Sequence, residues 1–272
     1  MKSSELLGDD LNNYSHIELT EEETAEALRV GRHAKQIRIN IENYNREMSK
    51  PIEWLNYTAE ELFKLMVEAT TYKGQNFILE CKQGEEETEE SFSDRNKKIE
   101  KYVRIAKNLC CYFSGDERFK GDLKKGLALV GPAGTGKTAL MKFFTSNQMF
   151  SYRIKSMLEI TADYKQNGEG AAMFYNGNPQ GSRNDYGHTI YGYCFDDVGM
   201  EEIPAKYYGA TKNVFAEVIL MRDLNVPLNS THITSNIPPP KMEELYGSRV
   251  YDRMKDMFNI ISFEGLDSFR GK

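Results

Sequence analysis

Gly126-Leu127-Ala128-Leu129-Val130-Gly131-Pro132-Ala133-Gly134-Thr135-Gly136-Lys137-Thr138-Ala139 is the stretch on which the fold turns. Its first five residues form an apolar run of strand length. Ala139-Leu140-Met141-Lys142-Phe143-Phe144 has the composition of the helix that should follow. Between them lies a Gly-x-x-x-x-Gly-Lys-Thr loop, a motif that works only within a strand–loop–helix unit. Glycines at 131, 134 and 136 let backbone N–H groups turn inward around a phosphate chain. The helix N-terminus adds its partial positive charge at the same point. Lys137 is expected to reach the β- and γ-phosphates, and the Thr138 hydroxyl to ligate Mg²⁺. Residues 131–139 are thus the expected seat of a nucleoside triphosphate, taken here as ATP.

Working outward, Tyr191-Gly192-Tyr193-Cys194-Phe195-Asp196-Asp197 reads as an apolar strand ending in two acids, about sixty residues after the loop. Asp196 is expected to complete the Mg²⁺ shell beside Thr138. Asp197 is placed to orient and polarise an attacking water, with Glu201 nearby as an alternative base. A later strand, Thr231-His232-Ile233-Thr234-Ser235-Asn236, ends in an amide that suits a γ-phosphate sensor; the other reading of Asn236 is a turn residue before Pro238. His232 reads as a strand side chain. On a helix, Arg249 and Arg253 would share a face. They suit either delivery of a guanidinium to a neighbouring subunit's γ-phosphate or surface pairing with Asp252 or Asp256.

The chain has 272 residues, 40% hydrophobic and 28% charged, which fits an α/β domain with a smaller appendage. Residues 1–94 hold 10 Lys and Arg against 21 Asp and Glu, while the remainder holds 25 against 20. The mildly basic half permits contact with nucleic acid without requiring it. No apolar run reaches membrane-spanning length, and Met1-Lys2-Ser3-Ser4-Glu5 lacks the apolar core of a signal peptide. Cys81, Cys110, Cys111 and Cys194 show no metal-ligand spacing and read as reduced thiols. A cytoplasmic protein with no membrane partner is expected.

Thr20 and Glu23 form a capping box, opening a helix expected to run toward Met48 with Ala34, Ile37, Ile41, Tyr44 and Met48 on one stripe. Thr58 and Glu61 form a second box before Leu62, Leu65, Met66 and Ala69. These elements read as a partner-docking module or as helices packed on themselves or on the ATPase. The acidic run 85–90 reads as a solvated linker. We therefore expect a mainly helical region over 1–92 and a P-loop domain over 93–272. A long helix is expected from Ser93 or Asp94, with Ile99, Tyr102, Val103, Ala106, Leu109, Cys110 and Phe113 on one face.

Residues 126–270 resemble the DnaC-type replicative helicase loaders, a branch of the AAA+ ATPases close to the DnaA initiators. The resemblance is carried by Gly131 to Thr138, Phe195-Asp196-Asp197-Val198-Gly199, Arg222, Thr234-Ser235-Asn236, Gly247-x-Arg249-Val250-x-Asp252-Arg253-Met254 and Ser268-Phe269-Arg270. It implies an AAA+ P-loop fold (a parallel sheet flanked by helices) without a C-terminal lid. It further implies Arg253 as an arginine finger acting in trans, Arg249 as a second nucleotide-facing arginine, and Asn236 as the first sensor. The implied activity is ATP-dependent loading of a replicative helicase hexamer, gripped by the N-terminal region, onto single-stranded DNA, with self-association through the ATPase domains. An IstB-type transposition ATPase shares nearly all these motifs; a small-molecule P-loop phosphotransferase fits them less well. In loaders a helical insertion contacts single-stranded DNA, and the matching interval here, about 156–190, contains Lys165, Phe174, Tyr175, Arg183 and Tyr186, with Lys155 at its edge. Residues 151–190 hold four basic and four acidic side chains, so their composition alone makes no basic patch.

Overall fold

The computed structural model describes residues 20–25, 28–29, 31–32, 35–36, 39, 57–72, 75–76, 88–147, 150–177 and 192–269. The chain divides into two units, Met1–Ile52 and Glu53–Lys272.

In the first unit, helical residues α1 lie within 21–39. The expected capping box forms, with the Thr20 N–H donating to Glu23 Oε2 at 2.8 Å and the Glu23 N–H to Thr20 Oγ1 at 3.3 Å. Ala34, Ile37, Ile41, Tyr44 and Met48 fall outside the described residues.

The second unit begins with α2 (Ala59–Ala69), whose Thr58–Glu61 capping box also forms. A short hairpin, β1 (Thr71–Tyr72) and β2 (Gln75–Asn76), follows. Helix α3 spans Glu89–Ser114. It starts earlier than the expected Ser93 because the Thr88 hydroxyl caps it, accepting from the Ser91 N–H at 3.2 Å. Glu89 and Glu90, expected in a linker, instead occupy the first turn, where the helix dipole favours acids. The helix ends at Gly115, whose φ of 70° supplies the left-handed cap. Ala59 and Met66 of α2 join Tyr102, Ala106, Leu109 and Cys110 of α3 in one buried cluster. Through this cluster α2 packs against the P-loop core, and residue 92 lies inside α3.

The core sheet contains β3 (Gly126–Val130), β4 (Tyr152–Ser156), β5 (Gly192–Val198), β8 (Thr231–Ser235) and β9 (Phe258–Ser262), in the order β4-β5-β8-β3-β9. All neighbours are parallel. Alternation along the strands divides the core into two layers. Leu127, Leu129, Cys194 and Ile261 face α2, α3 and α4 (Lys137–Phe143). Ala128, Val130, Tyr193, Phe195 and Ile233 face the opposite layer. That layer holds α5 (Met157–Asn167), α6 (Glu169–Tyr175), α7 (Val214–Asn225), α8 (Pro239–Tyr246) and α9 (Ser248–Met257). A second hairpin, β6 (Ala205–Tyr207) and β7 (Ala210–Lys212), precedes α7. The expected P-loop α/β architecture is what the chain forms. Among the described residues, no helix is long and apolar enough to cross a membrane. Cys110 and Cys194 are buried free thiols, and burial pushes the Cys110 thiol up to about 12.

Candidate nucleotide site

Three adjacent strands end at the same edge of the sheet, and the polar residues that follow them meet there. In parallel α/β sheets this carboxyl edge is where ligands bind. The loop Gly131-Pro132-Ala133-Gly134-Thr135-Gly136 leaves β3 and enters α4 at Lys137, as its spacing predicts. Gly134 and Gly136 have φ of 81° and 84°, which L side chains rarely adopt. The Thr135 hydroxyl donates to the Pro132 carbonyl at 2.9 Å, closing the loop on itself.

Lys137 is only 4% exposed. Its Nζ donates to the carbonyls of Gly131 and Pro132, each at 2.7 Å, and to Asn236 Oδ1 at 2.8 Å. Asn236 Nδ2 donates in turn to Asp197 Oδ1 at 3.1 Å. The amide thus spans the loop lysine and the candidate base. Thr138 Oγ1 donates to Asp196 Oδ1 at 2.8 Å, joining the two expected Mg²⁺ ligands directly.

Thr234, unassigned from sequence, is the hinge of this network. Its hydroxyl donates to Asp196 Oδ1 at 2.6 Å and accepts the Asp197 N–H at 3.1 Å. A hydroxyl two residues before a strand-ending amide was the available signal. Asp197 has φ of 56°, in the left-handed region that Asp tolerates better than most residues. The pairing of β5 with β8 slips there, from Phe195 opposite Ile233 to Val198 opposite Ser235. This bulge lets the backbone of Asp197 turn toward Thr234.

The donor set fits a magnesium-bound triphosphate. A hydroxyl and a carboxylate oxygen lie within hydrogen-bond distance at the mouth of a glycine cradle. Mg²⁺ is characteristically bound by one or two carboxylates plus phosphates and waters. Among the described residues, no group of three or more His, Cys, Asp or Glu suited to a metal occurs.

Other expected residues are placed elsewhere. Glu201 is buried, accepting from the Gly199 N–H at 2.7 Å and the Tyr246 hydroxyl at 2.6 Å. Burial outweighs these bonds and raises its pKa. It ties the segment after β5 to α8, and both its oxygens are engaged, unlike a free base. Arg222 is fully buried at the other edge of the sheet. It donates to Thr231 Oγ1 at 2.9 Å and to the carbonyls of Tyr175, Gly177 and Ser230 at 3.0, 2.6 and 3.2 Å. Its guanidinium also lies over the Tyr193 and Phe195 rings, and burial lowers its pKa to about 10. It clamps α6, α7 and β8 together and makes none of the bonds at the loop.

His232 is a core side chain, as expected. Its Nδ1 accepts the Leu127 N–H at 3.1 Å, inside a cage of Tyr112, Phe113 and Tyr152 rings. Burial holds its pKa down at about 3.

Arg249 and Arg253 share an exposed face of α9, as their spacing predicts. They line a groove of about 450 Å³ with Glu217, Leu220, Met221, Asp223 and Leu224 of α7. Arg253 Nε lies 3.5 Å from Asp223, so its acidic neighbour is on α7 rather than Asp252 or Asp256. In the interval proposed for DNA, Phe174 is 63% exposed but Tyr175 is buried, its hydroxyl donating to Asp163. Lys165 is paired with Glu202, while Arg183 and Tyr186 lie outside the described residues. Tyr175 is therefore a core residue, not a stacking platform.

No protein-family model matches this chain, and no curated protein matches it. Among solved structures the chain is similar to one described as the crystal structure of the DnaC helicase loader. The two are 17% identical, the match covers 62% of this chain and 89% of that chain, and the TM-score is 0.37.

Proposed function

We propose that this chain is a Mg²⁺-dependent AAA+ ATPase that loads a replicative helicase onto single-stranded DNA through nucleotide-gated self-association. The observation that carries the ATPase reading is the continuous bonding of Lys137, Asn236 and Asp197 beside that of Thr138, Asp196 and Thr234. In this reading residues 131–139 wrap the phosphates of ATP, with Lys137 against the β- and γ-phosphates. Thr138 and Asp196 hold Mg²⁺, which neutralises phosphate charge when bound. Asp197 orients the attacking water and accepts its proton, and Asn236 keeps that carboxylate in register with the γ-phosphate.

The bonds described at this cluster are made by lysine, threonine, asparagine and aspartate. Both arginines of α9 line the separate groove along α7. That separation supports completion of the site by Arg253 of a neighbouring protomer, with Arg249 beside it. A guanidinium so delivered is worth ~10³–10⁵ in rate, or roughly 4–7 kcal/mol of barrier. The helicase and single-stranded DNA partners rest on the motif resemblance described above; the role of residues 1–92 in gripping the helicase rests on their position alone.

Mixing two inactive variants tests the arrangement. Arg253→Ala keeps an intact phosphate site and Lys137→Ala keeps an intact arginine. Mixed assemblies should therefore hydrolyse ATP where each variant alone does not. Absence of rescue would place the arginine within its own subunit. Capture of a replicative helicase hexamer by the full chain tests the loading role, and capture of a transposase in its place would favour the IstB-type alternative.

A further inference from the structure

Arg249 and Arg253 each precede a buried residue of α9, Val250 and Met254. Those anchors press the helix onto the core, but apolar burial is non-directional and does not fix its roll or its slide. Rolling α9 would swing both guanidinium groups off the groove they line with α7. A directional contact stands where the helix starts.

Tyr246 ends α8, and Gly247 alone, at φ of 83°, separates it from the first residue of α9. Tyr246 is 6% exposed, and its hydroxyl donates to Glu201 Oε1 at 2.6 Å. Its ring meets Phe215 of α7, with centroids 4.8 Å apart. Asn213 Nδ2, at the start of α7, donates to the Leu245 carbonyl at 3.3 Å.

Glu201 leads back from there to the nucleotide site. Its other oxygen accepts the Gly199 N–H at 2.7 Å. Gly199 lies two residues beyond Asp197 and packs so closely on Ile237 that an added Cβ would lie 2.1 Å from Cδ1. Ile237 follows Asn236, and its N–H donates to Ser235 Oγ at 3.0 Å. That hydroxyl donates to the Val198 carbonyl at 2.7 Å. The segments carrying Asp197 and Asn236 are thus stitched together, and Glu201 extends the stitching to the end of α8. A satisfied buried polar network specifies one arrangement, whereas apolar side chains would fill the same volume without aiming anything.

We propose, resting on the delivery of Arg253 in trans read above, that Glu201 and Tyr246 are positioning residues for the arginines. Their bond sets where α9 begins relative to the ends of β5 and β8, and so aims Arg249 and Arg253 at the neighbour's γ-phosphate. The effect falls on the arginine that a protomer gives, not on the nucleotide that it holds.

The test separates giver from receiver. In mixed assemblies, Arg253→Ala protomers hold ATP and Lys137→Ala protomers supply the arginine. Adding Tyr246→Phe to the supplying protomer should cut the rescued kcat roughly tenfold to a hundredfold, as for a misplaced catalytic group, with KM unchanged. Adding it to the ATP-holding protomer should leave the rescued rate unchanged, which also shows that the variant folds. Glu201→Gln in the supplying protomer should act in the same direction, because one amide oxygen does not replace two carboxylate oxygens facing two donors. That protomer binds no nucleotide, so any action of Glu201 as a base is silent there. Loss that follows the ATP-holding protomer, equal loss from both sides, or no loss at all would each overturn the positioning role. If the parent pair gives no rescue, delivery in trans fails first and takes the positioning role with it.

Discussion

The two edges of the core sheet hold buried cations in similar cages of carbonyl oxygen, yet they serve different ends. At the carboxyl edge, Lys137 lies against Gly131 and Pro132 and reaches an amide and a carboxylate beyond them. At the amino edge, Arg222 lies against the carbonyls of Tyr175, Gly177 and Ser230. A buried charge is therefore no sign of a site in itself. What separates the two is backbone freedom: Lys137 follows a loop whose Gly134 and Gly136 are left-handed, whereas Arg222 lies within a helix.

The sharpest way to break this comparison is to remove each cation in turn. Lys137→Ala should cut nucleotide affinity by two orders of magnitude or more, with a smaller loss of ligand-free stability than Arg222→Met because fewer carbonyls lose their donor. Titration with a fluorescent ATP analogue reads the first and calorimetry the second; strong binding by the variant would sink the phosphate role. Arg222→Met should do the reverse. Several carbonyls lose their donor at about 1–3 kcal/mol for a typical unsatisfied buried group, partly offset by relaxation. Chemical denaturation should show a loss of roughly 2–5 kcal/mol, with ATP affinity retained in the folded fraction.

A smaller effect sharpens the contrast at the amino edge. His232 stays neutral in the folded chain down to about pH 3, against an ordinary value of 6.5. Between those values the unfolded chain binds a proton that the native chain refuses. Stability contributed by the neutral ring is thus present above about 6.5 and lost as pH falls toward 3. His232→Asn keeps an acceptor for the Leu127 N–H and should flatten the pH dependence in that window by up to ~1.4 kcal/mol per pH unit. Parallel curves for the two proteins in urea titrations would show that the ring does not control acid sensitivity.

Much of the carboxyl edge was legible in the sequence because its residues are consecutive. A loop of eight residues, two acids closing an apolar strand and an amide closing another each leave a local mark. α3 starts ahead of the expected Ser93 because Thr88 makes the acids after it a favourable first turn rather than a solvated run. Aromatic content alone does not say which side of a helix is covered, and Tyr175 faces Tyr193 in the core. The contacts of Arg222 and the Tyr102–Phe269 ring pair carry no periodic signal. Arg222 bonds Tyr175 and Gly177, 47 and 45 residues away, and Tyr102 meets Phe269 from the other end of the P-loop unit; these become neighbours only when the sheet closes.

The bulge at Asp197 has a consequence for chemistry. Along an even pleat, consecutive residues look in opposite directions, so a pair of adjacent aspartates would serve two different layers of the molecule. One extra step of chain, taken through a left-handed turn, lets both carboxylates of the pair join bonds to β8 and the residue after it, Asp196 to Thr234 and Asp197 to Asn236. A protein that needs one acid to hold a metal and another to steer water can then draw both from a dipeptide, provided the strand gives up its regularity at that point.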